Sequence, residues 1–439
     1  MNFITSKKSL VMALSSALLL TACGGGGSDS GSSSSSNTSN DKGSSSSPDT
    51  SNSPETVNPT VSNDTSTTSK PTTSTESSES TTSPESSDAD TTPTVSKTEV
   101  DMINVESKSH KGAAQVGSSL LSSQRQACAL GGMADNDELN KIATQHAQYI
   151  QHVFSNSRPT IFNAHGEEEI SDIRNWTGKN NPFFTGVSFK DRLLKAGYSN
   201  LAHGVVENIS RVTYYSSAGK VASPDYAAHS MTKSLLAAPY HMRLLVTPNL
   251  SQTGSGMIAY KPYGKAADKS QSYVFVNASS ADQKTENRTV NGLFTYPCTD
   301  VVDTNTALYN EFPSPVAGTG RDLGTDPIGQ PIYINMPSAK SIKISNIKFR
   351  DVKRNIDVPV DLLDYSNDPH KRTAYELPQN EAFILPLTDS LQSCETGRRK
   401  GKNCGLYGNS EYQVSFDVLV DNKTQESKQI TFTTGEVNY

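Results

Sequence analysis

Aromatic residues are missing from a long stretch near the start of this 439-residue chain. No Phe, Trp or Tyr occurs between Cys23 and Tyr149, and Trp176 is the only tryptophan. A stretch so poor in large apolar side chains cannot bury enough surface to offset the entropy of ordering it. Membrane-length apolar runs are missing too. The run at residues 10–20 has about eleven residues, where a bilayer span needs about 20. Among the five cysteines no CxxC spacing occurs, which argues against thiol redox chemistry or a cysteine-bound structural zinc. There is no GxSxG elbow, Walker loop, helix-opening GxGxxG, HExxH pair or papain-type cysteine context. A basic surplus is also lacking. Residues 24–101 carry 12 acidic and 3 basic residues. With the two lysines of the first 22 residues set aside, 33 acidic and 34 basic residues remain, so a nucleic-acid partner is not expected.

What is present begins with a leader. Lys7 and Lys8 precede the short apolar run, the pattern of a signal peptide over residues 1–22. Its end, Leu20-Thr21-Ala22-Cys23, resembles a bacterial lipobox. That resemblance implies cleavage before Cys23 and lipidation of its thiol. Gly24, in place of Asp, favours the outer membrane of a two-membrane bacterium. The protein is therefore expected to meet the membrane through its lipid anchor, facing the periplasm or the outside. Residues 23–117 read as the lipidated Cys and a disordered tether, since about half of residues 24–100 are Ser or Thr. A coil of this length reaches roughly 50 Å.

With Cys23 set aside, Cys128, Cys298, Cys394 and Cys404 form an even set in an exported chain, which reads as two disulfides. Three connectivities are possible. Cys128–Cys298 with Cys394–Cys404 is favoured, because the second pair closes a short polar loop, ETGRRKGKN. The basic RRKGK within it reads as a solvated tip.

Residues 118–300 read as helices followed by strands. Leu139, Ile142, Ala143, His146, Ile150 and Val153 recur at steps of three and four, one buried helical face with Asp135 or Asn136 as its N-cap. FKDRLLKAG reads as a helix between Ser188 and Gly197, and a third helix runs from about Pro224 to Leu236. GSGMIAYKP and SYVFVNAS read as strands, and close backbone packing accounts for the glycine pair. Helices and strands without βαβ alternation imply an α+β or sandwich arrangement. Residues 301–324, rich in Pro and Gly, read as a connection. Short β-branched runs at regular spacing over 325–439 imply an all-β, Ig-like sandwich.

Three histidines stand near possible partners: His165 in NAHGEEE, His203 in LAHGVVENIS and His241 in PYHMRLL. Glu207 lies in an apolar strand-like run, where a carboxylate needs a partner. The ordered segments AHGEEE, FFTGVSFKDRLLKAGY, VVENIS, LLAAPYHMRLLVTP and GSGMIAY resemble the CAP superfamily, the SCP-like extracellular domain, in its bacterial form. The resemblance covers roughly residues 119–285. It implies a three-layer α–β–α sandwich with a cleft holding two histidines and acidic residues. The first His falls on His165, the Glu of the EN motif on Glu207 and the second His on His241. The helix before His241 offers no second carboxylate, and Glu167 or Glu168 is a substitute by its closeness to His165.

Three functions are compatible with that set. One is a non-catalytic binding module for an envelope, lipid or protein ligand. Another is a zinc-dependent hydrolase, a peptidase or nuclease, with His165 and His241 as metal ligands and Glu207 as base. The third is a structural envelope protein. The lone Trp176 is expected to pack rather than to cap a cleft.

Overall fold

The structure is a computed structural model that describes residues 100–101, 108–216, 220–266, 269–391, 394 and 404–437. The signal peptide, Cys23, nearly all of the Ser/Thr-rich tether and the RRKGK loop lie outside the described residues.

The first half comprises β1 (Val100–Asp101), β2 (Lys108–Ser109), α1 (Lys111–Ala127), β3 (Ala134–Asp135) and α2 (Asp137–Asn156). Then come α3 (Phe189–Ala196), β4 (Val205–Tyr215), β5 (Lys220–Val221), α4 (Pro224–Leu235), α5 (Pro239–Leu245), β6 (Gln252–Tyr260) and β7 (Ser270–Ser280). The second half comprises β8 (Phe294–Tyr296), β9 (Val301–Thr304), β10 (Ile332–Asn335), β11 (Ile342–Asp351), β12 (Ile356–Asp357) and β13 (Val360–Asp364). It ends with β14 (Glu381–Pro386), β15 (Glu411–Val420) and β16 (Thr424–Thr434).

Local chemistry explains the helix ends. The Asn136 side chain accepts a hydrogen bond from the Leu139 N–H at 3.0 Å, which caps α2. Ser188 and Asp191 form a reciprocal capping box on α3, and Gly197 ends it at φ 74°, a left-handed conformation that glycine tolerates. Helix α1 begins at Lys111, so helical structure reaches back into the stretch read as tether. Its buried Arg125 donates to the carbonyls of Leu245, Thr247 and Leu250, which ties α1 to the end of α5. Burial pulls that guanidinium down to about 10.

The central sheet runs β2-β6-β7-β4, with β3 added parallel to β6. Strands β6 and β7 are almost wholly buried on both faces. On one face Ile258, Val274 and Val276 pack with Leu139, Ala143 and Ile150 of α2. The approach is close. A Cβ at Gly254 would sit 2.2 Å from the Asn140 N, and one at Gly256 would sit 2.4 Å from the Thr144 Cα. The glycine pair is thus required by backbone contact, as its sequence context implied. On the other face Met257, Tyr273 and Phe275 join Leu121, Met231 and Tyr240.

That second core does not stop at the helices. It continues through Tyr296, Val301 and Ile332 into the strands of the second half. Those strands form the sheets β13-β14-β10-β8 and β12-β11-β15-β16-β9. They are compatible with a β-sandwich. Strand β9, from the stretch read as a connection, enters the last sheet by parallel pairing with β16. The three-layer α–β–α sandwich followed by an Ig-like sandwich is therefore corrected. Among the described residues strand outweighs helix, the sheets are antiparallel or mixed, and no three-layer α–β–α sandwich is evident. The physical reason is the shared core, which merges the C-terminal strands with the helices of the first half.

Both favoured disulfides are formed. Cys128–Cys298 joins the end of α1 to the segment after β8, and Cys394–Cys404 closes the polar loop.

Candidate functional site

Strand alternation sets the site's first wall. Glu207, Ile209 and Arg211 point to one side of β4, towards α2 and the loop after it, while Val212 and Tyr214 join the core on the other face. The loop after α2 carries His165 and Glu167, both buried, whereas Glu168 is exposed. Helix α3 contributes Arg192, which is 1 % exposed.

These residues close on one another. His165 Nδ1 lies 2.9 Å from Glu207 Oε2. Arg192 Nη2 donates to both Glu207 oxygens at 2.8 Å, and its Nη1 donates to the His165 carbonyl at 3.1 Å. Behind them His146 Nδ1 faces Glu167 Oε1 at 2.8 Å, and its Nε2 donates to the Ala164 carbonyl at 2.7 Å. Glu167 Oε2 accepts from the backbone N–H groups of Thr185 and Gly186 at 2.6 and 3.2 Å. Burial alone would raise the Glu207 carboxyl. The Arg192 guanidinium, with His146 and the His165 hydrogen bond, outweighs burial and holds it well below the ordinary carboxylate range. Tyr149, one turn after His146, accepts from the Gly178 N–H at 2.9 Å, and burial pushes its phenol up to about 12.

His241 is placed differently. It sits in the first turn of α5, after Pro239, and its Nδ1 is 3.1 Å from Glu311 Oε1. The same oxygen accepts from the backbone N–H groups of Tyr240 and His241. Burial pushes the Glu311 carboxyl up, and the His241 ring and the two N–H donors offset this only in part. The structure thus brings His165 and Glu207 together and gives the His241 ring Glu311 as its carboxylate partner. His203, weighed as a third histidine, lies in the turn before β4 and contacts Glu286. The Trp176 ring packs edge-on against His152, 5.6 Å between centroids.

The zinc reading meets a chemical obstacle here. Both Glu207 oxygens are taken by Arg192, and a dication beside them would face a buried guanidinium. Among the described residues no group of three or more His, Cys, Asp or Glu side chains is arranged to hold a metal ion. The residues present do not fit zinc, and no step is derived through it.

Beside the network lies a cavity of about 300 Å³. Its apolar walls include Ile150 and Phe154 of α2, Phe162 and Ala164 of the loop, and Ile209 of β4. Arg211 completes the wall, with its guanidinium carbon 4.0 Å from the centre of the Phe154 ring.

Sequence reasoning named Glu207, His165 and Glu167 but missed Arg192, and it took His146 as a helix-face position only. His146 carried a signal, a polar residue inside an apolar period. Arg192 and Glu311 carried none, because their partners lie far off in sequence. Compared with known protein families and with curated proteins, the chain matches no family model and no curated protein.

Proposed function

We propose that this chain is a lipid-anchored cell-envelope protein whose folded part is a non-catalytic binding module. The observation that carries this is the open apolar cavity walled by the segments that the buried network fixes. Ala164 lines the cavity, and its carbonyl accepts from His146. Ile209 lines it two residues after Glu207 on the same strand face. The His165–Glu207–Arg192 cluster then works as a brace, holding the loop against β4 so that the cavity keeps its shape.

Kinship with the CAP superfamily is proposed on the ordered motifs alone, without the layered fold they implied. The anchor at Cys23 and the outer-membrane location rest on the leader pattern. Among the described residues no helix is long and apolar enough to cross a membrane. The hydrolase alternative, with His165, Glu207 and His241 around zinc, is disfavoured by the occupation of Glu207 by Arg192.

Native mass spectrometry of the chain purified from envelopes tests the proposal. A small molecule that co-purifies at unit stoichiometry, and is released by organic extraction, is the expected result. Zinc-dependent turnover of peptide or phosphodiester substrates that disappears in His165→Ala would overturn it.

A further inference from the structure

We propose that the cavity between α2, the 159–164 loop and β4 takes a single-chain anionic amphiphile, its hydrocarbon tail inside and its acidic head on Arg211. This rests on the binding-module reading and names the ligand class.

Three observations point the same way. The first is the wall. Ile150, Phe154, Phe162 and Ile209 offer hydrocarbon and aromatic surface, which favours a tail over a polar solute. The volume, about 300 Å³, stands at the lower end of the range for small-ligand sites, roughly 300–1,000 Å³, and suits one flexible chain. The second is the rim. Ile161 is 83 % exposed and Phe312 is 60 % exposed, and both line this cavity. Large apolar side chains held in water at the mouth of an apolar cavity mark a surface completed by an apolar partner.

The third is the charge. Arg211 is half-buried, and no carboxylate pairs with it among the described residues. The contrast with its neighbours is informative. Arg192 of the network is paired with Glu207, and Arg243 is paired with Glu381. Arg211 has the Phe154 ring beneath it, which orients the guanidinium without neutralising it. A planar fork beside an apolar cavity suits a carboxylate or phosphate head. A neutral ligand would leave that cation uncompensated.

Calorimetric titration of the full chain carrying Cys23→Ser, which cannot be acylated, tests this with decanoate, decyl phosphate and decanol. The expected result is saturable one-to-one binding of an anion, weakened roughly tenfold or more by Arg211→Gln. Decanol should bind more weakly than the anions and should not respond to that variant. Ile161→Asp and Phe312→Asp change exposed positions, so the fold should survive, as a melting curve checks. Each should weaken all three probes. A preference for decanoate points to a free fatty acid, and one for decyl phosphate to a phosphate-bearing lipid; either supports the class. Anion binding unchanged in Arg211→Gln or in both rim variants would overturn it. So would no binding of any probe while a different small molecule still co-purifies, which would leave the binding-module reading standing.

Discussion

Arg192 and Glu207 form a fully enclosed pair: one guanidinium nitrogen lies 2.8 Å from each carboxylate oxygen, with both side chains all but sealed from solvent. The two residues are 15 positions apart, one on a short helix and one on a strand. Their contact is what fixes α3 and the His165 loop against β4.

Removing one partner should therefore leave a buried charge uncompensated. Arg192→Met or Glu207→Gln should each lower stability by about 3–5 kcal/mol, measured by urea unfolding. The double variant should lose clearly less than the sum of the two. Additive losses in that cycle would mean that the pair does not act as a unit.

The two Glu–His pairs should respond to pH with opposite signs. Glu207 has a folded-state value held below that of the unfolded chain, about 4.3. Its contribution is full above that value and is lost as pH falls towards the folded value. Glu311 is raised, so its contribution is present below about 4.3 and is lost as pH rises through its folded value. Glu207→Gln should flatten the acid limb of a stability–pH curve. Glu311→Gln should instead relieve a loss on the rising side. Both variants changing the same limb would contradict this assignment.

The glycine pair offers a test of packing. Gly256→Ala places a methyl 2.4 Å from the Thr144 Cα, and the obstructing atoms are α2 backbone, which cannot swing aside as a side chain would. The loss should be about 3 kcal/mol or more, at the upper end for overpacking. Gly264, whose added Cβ would meet nothing, is the control at the β6–β7 turn, where only its left-handed φ of 70° opposes Ala. A Gly256→Ala variant as stable as the parent would mean that α2 and β6 do not approach so closely.

Much of this was legible because it is local. The α2 period, the Ser188–Gly197 helix, the β6 and β7 runs and the C-terminal strands follow from side-chain alternation and caps that neighbours in sequence decide. Helix α1 was half hidden, since KGAAQVGSSLLSSQRQA is mostly small and polar with little apolar surface to reveal a face. Glu207 was legible as a charge in an apolar strand, but its partner on α3 was not. The His241 partner lay in a Pro-rich stretch that reads as a connection. Whether two sheets share a core with the helices is decided by contacts of long sequence separation, which no window of residues contains.

The two disulfides separate local from global constraint. Cys128–Cys298 spans 170 residues and Cys394–Cys404 spans 10. Chain-entropy arguments assign roughly 5 kcal/mol to the first and roughly 3 kcal/mol to the second. Serine replacement of the first pair should therefore destabilise the protein more in urea. It should also loosen α1 against the β8 segment, since the bond is the covalent link between them. The second pair links residues only 10 apart and does not touch α1, so its replacement should leave hydrogen exchange in α1 unchanged. If the short-range pair proves the more costly to remove, strain or contacts in the native state, rather than loop closure, govern the cross-links.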